Sequence, residues 1–396
     1  MTNQIQIDGE IFQNTIKILK DLISFQTESG KSNLKLIDYC ELKLKNSGAS
    51  SLKTFNTSKT QANLFSTIKG ENPDDLGVIL SGHTDVVPAV ASEWTSDPYS
   101  LREKGDKLYG RGTCDMKGFI ACTLAVAPLF ASSKLKKPIH FSYTFDEETG
   151  CLGAPLVLAD LKKRNLHFSA CIIGEPTNMK AITANKGYNE YVTHFTGLSG
   201  HASTPDNGVS AIEYAVEYSK KLMELKNQLS KIKTENRLFN PPFSTLQIGK
   251  ISGGISANVI ADKCSLEWEV RTINKNDNDF VTKSIDDFTK NILLPKIKKN
   301  NPKGNIEKQV IGEVVGFNRE ENSEALNLVC NITGDNSNGA MSFGTEAGLF
   351  QNSGISTVIC GPGSIEQAHT VDEYISYDQL KKCLKMLVSL KEKLTY

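Results

Sequence analysis

The feature that most constrains the fold of this chain is a regular alternation of short apolar runs with helical patterns. Strand-like runs occupy residues 77–80, 138–145 and 170–173, and helical patterns lie between them at residues 117–130 and 154–161. This alternation predicts an α/β fold with a mixed, mostly parallel sheet flanked by helices. A chain of 396 residues is also too long for one ordinary hydrophobic core, so we expect two domains.

The pattern changes after Lys186. From there the order of predicted elements is βαββαβ, which is the ferredoxin-like arrangement. The strands are predicted at residues 188–195, 244–251, 259–272 and 306–315, and the helices at residues 209–225 and 277–293. We therefore expect an inserted α+β domain at residues 184–315, within a larger domain formed by residues 1–183 and 316–396. The lysine-rich segment 296–303 is interpreted as a solvated surface loop.

Composition and charge argue against several classes of partner. The 45 basic and 45 acidic residues cancel, so neither a nucleic-acid nor an acidic-membrane partner is expected. No apolar run reaches the roughly 18 residues that a membrane span needs, and residues 1–6 lack the pattern of a secretion signal. The nine cysteines are scattered without CxxC pairs, which favours reduced thiols in a cytoplasmic protein.

The positions of the histidines and acidic residues carry most of the functional information. Most of them directly follow a predicted strand, and Asp115 lies in a glycine-rich loop that opens a helix. In an open α/β sheet, ligands bind at the carboxyl ends of the strands. These side chains are therefore expected to lie close together at that end of the sheet. The residues concerned are His83, Asp85, Asp115, Asp146, Glu147, Glu148, Glu175 and His369.

Each of these residues has an ordinary explanation when it is taken alone. A single histidine after a strand is usually a loop residue, and an aspartate in a glycine-rich loop is usually a turn or N-cap residue. Several carboxylates at one strand edge, however, repel each other unless cations neutralise them. Two imidazoles and three carboxylates suit zinc, cobalt or manganese, and one bridging carboxylate would give each of two metals three protein ligands.

Two further acids fit roles in hydrolysis at such a metal pair. Asp85, two residues after His83, can accept a hydrogen bond from the imidazole and fix its tautomer. Glu147 is adjacent to a ligand in sequence and is the natural general base for an attacking water. The residues alone therefore predict a hydrolytic metal site.

These segments resemble the metal motifs of a known family. The matching segments are residues 81–88, 110–118, 146–150 and 174–177, followed by His369. They occur in the order found in the co-catalytic zinc exopeptidases, a group that includes acetylornithine deacetylase, succinyl-diaminopimelate desuccinylase, aminoacylase and glutamate carboxypeptidase. The resemblance extends from His83 to Glu373 and so covers most of the chain.

The resemblance implies two divalent metal ions per subunit, with Zn²⁺ expected first and Co²⁺ as the alternative. It makes Asp115 the bridging ligand and implies that the peptide bond after Asp115 is cis. One metal would also take His83 and Glu175. The other would take Glu148 and His369.

The resemblance also gives the inserted domain the role of a lid and dimerisation domain. His201 matches a histidine that stabilises the oxyanion in the active site of the partner subunit, so we expect a homodimer and closure of the lid. The residues alone favour another interpretation, in which His201 is a turn residue between a strand and a helix.

Within the family, residues 343–350 and 360–369 are similar to the acetylornithine deacetylase branch. Gly344, Thr345 and Glu346 are expected to contact the substrate. Desuccinylases typically carry a serine in place of Glu346. An acid at this position would favour a substrate with a cationic amine, as N-acetylornithine has, over one with an additional carboxylate.

Asn258 and Arg271 match family residues that bind the carboxylate of the substrate. A guanidinium suits this role because it binds a carboxylate with two parallel hydrogen bonds. The alternative for Arg271 is a surface residue that is paired with a neighbour on its strand. The activity implied is removal of the acetyl group from N2-acetyl-L-ornithine, an N-acyl amino acid, to give L-ornithine and acetate in arginine biosynthesis.

Two other functions remain open at this point. The first is another amidohydrolase of the same group, namely a desuccinylase, an aminoacylase or a carboxypeptidase. The second is a non-catalytic binding protein that metal ions stabilise, although Glu147 and all five ligand positions are present. A dinucleotide-binding enzyme is not expected, since no GxGxxG motif opens a helix after the first strand.

Overall fold

The computed structural model describes residues 9–72, 76–232 and 238–395, which form two compact units. Residues 1–6, which lack the pattern of a secretion signal, lie outside the described residues. The first unit comprises Met1–Thr183, Arg319–Gly339 and Glu346–Tyr396, and the second comprises Ala184–Asn318 and Ala340–Thr345. The roles predicted for the two domains, metal binding for one and lid and dimerisation for the other, stay predictions.

The first part of the chain alternates helices and strands as predicted. Its elements are α1 (Glu10–Ser24), α2 (Leu34–Asn46), β1 (Ser50–Phe55), β2 (Ala62–Ile68), β3 (Gly77–His83), a 3-10 turn (Ala91–Glu93), β4 (Arg102–Lys104), β5 (Lys107–Tyr109), α3 (Lys117–Ala131), β6 (Ile139–Thr144), α4 (Ala154–Lys163), β7 (Phe168–Pro176) and β8 (Ala181–Asn185). Most residues of α3 are buried and the helix is apolar on every side, as expected of a helix inside the core.

The second unit contains the predicted βαββαβ order. Its elements are β9 (Gly187–Thr196), β10 (Gly200–His201), a 3-10 turn (Pro205–Asn207), α5 (Ala211–Leu229), β11 (Thr245–Gly253), β12 (Val259–Ile260), β13 (Lys263–Thr272), α6 (Lys275–Phe288), a π-helical turn (Thr289–Leu293), α7 (Leu294–Asn300) and β14 (Asn305–Val314). Ser210 and Asn274 cap the N-termini of α5 and α6, because their side chains accept backbone N–H bonds from Glu213 and Asp277.

The chain then returns to the first unit, except for Ala340–Thr345, which belong to the second. The remaining elements are α8 (Glu324–Thr333), β15 (Asn338–Met341), α9 (Ala347–Asn352), β16 (Thr357–Gly361), β17 (Tyr374–Ser376) and α10 (Tyr377–Thr395). Gly334 ends α8 in the left-handed conformation, with a φ of 73°, which glycine adopts without steric cost.

The large sheet has the strand order β1-β2-β6-β3-β7-β16-β8-β15. Its centre is parallel: β3 pairs with β6 and β7, and β7 pairs with β16. Strands β1, β2 and β8 pair antiparallel at its sides. The sheet is mixed, as predicted, but it is not mostly parallel, since three of its described pairings are parallel and three are antiparallel. Its parallel centre directs the carboxyl ends of β3, β6, β7 and β16 to the same end of the sheet.

The sheet of the second unit has the order β11-β13-β9-β14, and every pairing in it is antiparallel. In chain order this is 2-3-1-4, which confirms the ferredoxin-like arrangement. Tyr191 and Trp268 are buried on the face covered by α5 and α6, with their ring centroids 4.5 Å apart. The unit therefore has a hydrophobic core of its own.

Two local predictions differ from the structure. The strand predicted at residues 259–272 is two strands, because the carbonyls of Ala261 and Asp262 accept bonds from Ala211 and Gly197 instead of continuing the ladder. The lysine-rich segment is helical as far as Asn300 and is not a loop over that part. Ile297, which is buried in the core of the unit, holds this last helical turn against the sheet.

Two general expectations concern the whole chain. Of the helices that the structure describes, none combines the length and the apolar character that a membrane crossing requires. All nine cysteines are free thiols and most are buried, where cysteine behaves as a small apolar residue.

Candidate metal centre

Three predicted ligands lie close together at the carboxyl ends of the central strands of the large sheet, and they form a first group of potential ligands. His83 is the last residue of β3, Glu175 lies near the end of β7, and Asp115 lies in the glycine-rich loop before α3. His83 Nε2 lies 2.9 Å from Asp115 Oδ1 and 3.8 Å from Glu175 Oε1. One atom from each residue lies within 4.8 Å of the others, and all three residues are buried.

A second group shares Asp115 with the first. His369 Nε2 lies 3.3 Å from Asp115 Oδ2 and 2.9 Å from Glu148 Oε2. His369 adopts a φ of 59° in the loop after β16, and Glu148 follows β6. The two oxygens of Asp115 therefore point to different groups, one toward His83 and the other toward His369.

The electrostatics of the two groups favour bound cations. Burial raises the pKa of Glu148 to about 7, and the charge of Asp115 raises it as well. Burial and the charge of Asp115 likewise raise the pKa of Glu175 well above its usual range. Burial alone would raise the pKa of Asp115, but hydrogen bonds with His369 and His83 lower it. Divalent cations between these carboxylates would remove the repulsion, so the donor set fits metal ions.

The loop at Asp115 has the unusual geometry that the family resemblance implies. The peptide bond between Asp115 and Met116 is cis, which confirms that expectation. Gly112 in the same loop has a φ of 85°, and a Cβ atom there would lie 2.6 Å from Val86 Cγ1. Only glycine fits this position, and so the tight turn ahead of Asp115 depends on it.

Asp85 lies beside the imidazole of His83, and its predicted effect on the tautomer of that ring stays a prediction. Its backbone oxygen lies 2.9 Å from His83 Nδ1, and its carboxylate Oδ1 lies 3.5 Å from the same nitrogen. The carboxylate also accepts backbone N–H bonds from Glu147 at 3.0 Å and Glu148 at 3.2 Å, and a hydroxyl bond from Ser29 at 2.7 Å. It thus anchors the loop that carries the proposed base, a role that sequence reasoning missed.

Glu147 lies among the negatively charged members of the site. Burial raises its pKa well above the usual range, and the charges of Glu175, Glu148 and Glu346 contribute in the same direction. The Cys151 thiol lies 3.6 Å from Glu147 Oε1. A carboxylate with a raised proton affinity in such a site is suited to take up and return a proton.

Glu346 belongs to the first unit and immediately precedes α9. Its side chain is 1% exposed, and burial raises its pKa to about 7. Its charge interacts with Glu147 and Glu175, which places it within electrostatic reach of the metal centre. Gly344 and Thr345 belong to the second unit, where the Thr345 hydroxyl lies 3.3 Å from Asn185 Oδ1.

The remaining predicted site residues, His201, Asn258 and Arg271, also lie on the second unit. His201, in β10, is exposed, and its Nδ1 lies 2.7 Å from Ser203 Oγ. The Asn258 carbonyl accepts the backbone N–H of Ala202, so the loop of Asn258 is joined to the loop that follows His201.

Arg271, in β13, is paired with Glu269 on its own strand. Its Nε and Nη2 atoms lie 3.2 and 3.1 Å from the two carboxylate oxygens of Glu269, and its guanidinium stacks 4.0 Å from the centroid of Tyr188. This is the pairing with a neighbour on the same strand that the alternative interpretation of Arg271 describes.

A protein-family model, peptidase family M20/M25/M40, matches residues 79–393, a span that includes both ligand groups. The chain belongs to this family. Membership in the M20/M25/M40 peptidases, together with the relatives below, makes the chain a metal-dependent hydrolase. Combined with two adjacent groups of potential ligands, it also supports two metal ions per chain.

Curated relatives match this M20/M25/M40 chain over most of its length. The acetylornithine deacetylase of Pasteurella multocida (strain Pm70) is 33% identical over 335 residues, which cover 84% of this chain and 84% of that protein. The acetylornithine deacetylase of Myxococcus xanthus is 32% identical over 372 residues, which cover 93% of this chain and 94% of that protein.

Solved structures show the same fold at lower identity. A tripeptidase from Staphylococcus aureus subsp. aureus Mu50 superposes with a TM-score of 0.74 and 19% identity, covering 97% of this chain and 98% of that one. A Bacillus subtilis protein described as a dinuclear metal binding peptidase from the M20 family has a TM-score of 0.62 and 16% identity, covering 96% and 97%. At these identities the likenesses show the fold alone, over the part of the chain that each covers.

Proposed function

We propose that this M20/M25/M40 hydrolase removes the acetyl group from N2-acetyl-L-ornithine, giving L-ornithine and acetate. The observation that carries the proposal is the placement of the buried acid Glu346 within electrostatic reach of a site with two ligand groups. The acetylornithine deacetylases that match at 32% and 33% identity over most of the chain support the same substrate.

We assign the metal ligands as the two groups suggest. Asp115 would be shared by the two ions, His83 and Glu175 would complete one site, and Glu148 and His369 would complete the other. A set of imidazole nitrogens and carboxylate oxygens with open positions suits Zn²⁺, and Co²⁺ is the alternative. When bound, such ions polarise a carbonyl and lower the pKa of water, which is the chemistry that amide hydrolysis needs.

The proton transfers are assigned to Glu147. Its carboxylate takes a proton from the attacking water as the acetyl carbonyl carbon becomes tetrahedral. The same carboxylate returns the proton to the amine nitrogen as the C–N bond breaks, so atoms and charge balance. Asp85 keeps Glu147 in place by accepting its backbone N–H at 3.0 Å.

The substrate contacts are assigned by charge. Glu346 would favour the cationic side-chain amine of ornithine, because an acid with little access to water gains most from an opposite charge. Arg271 and Asn258 would bind the α-carboxylate, and Gly344 and Thr345 would line the site. These assignments rest on the family resemblance and on charge complementarity.

We further propose that the chain forms a homodimer through the second unit, in which closure of this lid completes the site and His201 serves the partner subunit. The pairings of the second unit leave β11 at the edge of its sheet. Exposed apolar side chains lie on β11 and just after it, with Ile251 50% and Ile255 89% exposed. An edge strand with such residues is suited to pairing with a second copy.

The product would place the reaction in arginine biosynthesis, since ornithine is the amine that remains after deacetylation. The nine free thiols are compatible with the reducing cytoplasm that we propose as its location.

A comparison of two substrates tests the proposed function. The metal-loaded chain should hydrolyse N-acetylornithine with a kcat/KM at least about tenfold above that for N-succinyl-diaminopimelate, equivalent to roughly 1.4 kcal/mol of discrimination. A preference for the succinylated substrate, or for a dipeptide, would overturn the assignment of the acyl group and leave the hydrolase class in place.

A further inference from the structure

Glu373 holds the glycine-rich loop of the metal centre with an unusually complete set of hydrogen bonds. Its side chain is fully buried, at 0% exposure. Oε1 accepts the backbone N–H groups of Cys114 at 2.8 Å and Asp115 at 3.0 Å. Oε2 accepts the backbone N–H of Gly112 at 2.8 Å and Nη1 of Arg111 at 2.9 Å.

All four donors come from one stretch of five residues, which wraps around a single carboxylate. Converging backbone N–H groups form a concave site for an anion, and here a side chain of the same chain fills it. The backbone carbonyl of Glu373 also accepts the N–H of Gly110, at 3.0 Å. Side chain and main chain of one residue therefore fix the loop over its whole length, up to and including the backbone of Asp115.

The residue also lies on the segment that carries His369, four positions earlier. Between them, Asp372 accepts the backbone N–H and the hydroxyl of Thr95 at 3.1 and 3.0 Å, so this segment is held as well. Glu373 thus joins the segment of His369 to the loop of Asp115. In the second ligand group, His369 Nε2 lies 3.3 Å from Asp115 Oδ2.

We infer that Glu373 is a positioning residue for the metal pair, which sets the bridging carboxylate of Asp115 against His369 without binding a metal itself. The inference rests on the ligand assignment in the proposed function. Partners outside the direct ligand set typically change metal affinity by about 10- to 100-fold when they are mutated. Glu373 acts on the ligand that both groups share, so the affinity for both ions should depend on it.

Removing the carboxylate also affects Arg111, whose buried guanidinium lies 5.1 Å from the ring centroid of Trp94. Glu373→Gln keeps one acceptor oxygen but turns an NH₂ group toward N–H donors, whereas Glu373→Asp keeps the charge and shortens the reach by one methylene. The two variants separate charge from reach. Glu320→Gln is a matched control, because Glu320 accepts side-chain bonds from Gln351 and Ser356 and has no described bond to the metal loop.

The experiment titrates the metal-free full chain with Zn²⁺ against a chromophoric chelator, and records the absorption bands of the Co²⁺-loaded chain. We expect Glu373→Gln to bind both ions about 10- to 100-fold more weakly with altered Co²⁺ bands, and Glu373→Asp to lie between it and the wild type. Glu320→Gln should match the wild type. Unfolding of each metal-free variant, measured in parallel, shows what fraction is folded.

Wild-type affinity for both ions in folded Glu373→Gln overturns the inference, because a merely structural role would change unfolding and leave the affinity unaltered. If Glu373→Gln does not fold, Glu373→Asp decides: weakened binding supports the positioning role, and wild-type binding overturns it. A wild-type chain that binds two ions but does not deacetylate N-acetylornithine would refute the proposed substrate alone, since this test measures binding.

Discussion

The carboxylate of Asp85 accepts the backbone N–H of Glu147 at a distance of 3.0 Å, and that of Glu148 at 3.2 Å. One buried acid, two residues after the end of β3, therefore holds the loop after β6, which carries both the proposed base and a proposed ligand. Ser29 donates its hydroxyl to the same carboxylate at 2.7 Å. Because this loop is anchored through its main chain, the side chain of Glu147 can be changed without removing the anchor.

Glu147→Gln should bind metal as the wild type does and should hydrolyse slowly. The amide has nearly the shape of the carboxylate but cannot take a proton from water, so we expect kcat to fall by about 10²- to 10⁴-fold. Turnover and metal content are measured on the same preparation. Glu147→Asp retains a base with a shorter reach, so its kcat should lie between those of the wild type and Glu147→Gln. Near-normal turnover of Glu147→Gln would refute the role of Glu147.

Glu346→Ser should change the choice of substrate. Loss of the acid removes an interaction with the cationic amine, and contacts to charged groups contribute roughly 1.5–3 kcal/mol, or about 10- to 150-fold. We therefore expect kcat/KM for N-acetylornithine to fall by that factor, while the ratio of rates moves toward N-succinyl-diaminopimelate. The assignment fails if the kcat/KM for N-acetylornithine and the ratio of rates between the two substrates both stay at their wild-type values in a variant that retains its metals.

His140 should make the first unit sensitive to acid. It is buried in β6 between Phe65 and Phe168, and burial lowers its pKa to about 4 from a usual value of 6.5. Because the folded pKa is depressed, its contribution to stability is complete above about pH 6.5 and is lost as the pH falls toward 4. One such group costs about 2 kcal/mol of unfolding free energy by pH 5.

The test for His140 compares denaturant unfolding at pH 8 and pH 5. His140→Phe keeps a ring between the two phenylalanines and cannot titrate, so its stability should fall less with acid than that of the wild type. His167→Phe, at an exposed position of the same unit, is the matched control for replacing an imidazole by a phenyl ring. Equal pH dependence in wild type and His140→Phe would show that another group is responsible.

Ile251→Lys should weaken the proposed homodimer. Ile251 is 50% exposed on the edge strand β11, and a charge on an edge strand disfavours strand pairing between copies. Sedimentation should show a dimer for the wild type and monomers for the variant. Leu42→Lys alters an exposed leucine of α2 in the first unit and should remain dimeric. A monomeric wild type would contradict the proposal directly.

The strand ends were predictable because apolar runs and the acids after them lie close together in the sequence. His83 and Glu175 close such runs, and the structure places them 3.8 Å apart. The hydrogen bonds that the Glu373 carboxylate accepts were not predictable in the same way. Their four donors lie about 260 residues earlier in the chain, and most of them are backbone groups. Backbone donors leave no signature in residue types.

Strands β1, β4 and β5 were not predicted for other reasons, namely their composition and their length. Strand β1 consists largely of polar residues, since it lies at the edge of the large sheet and none of its residues is fully buried. Strands β4 and β5 have only three residues each, too few for an apolar alternation. Arg271 was recognised by its type, but its pairing with Glu269 depends on which side chains share one face of a strand.

The most direct test of the two-metal centre is a Zn²⁺ titration of the metal-free chain by calorimetry, in the wild type and two variants. The wild type should bind two ions per chain. Asp115→Ala should weaken both sites, because the two ligand groups share Asp115, whereas His369→Ala should weaken one site and leave the other. A wild type that binds fewer than two ions, or an Asp115→Ala chain that still binds two with wild-type affinity, would contradict the shared carboxylate on which the account depends.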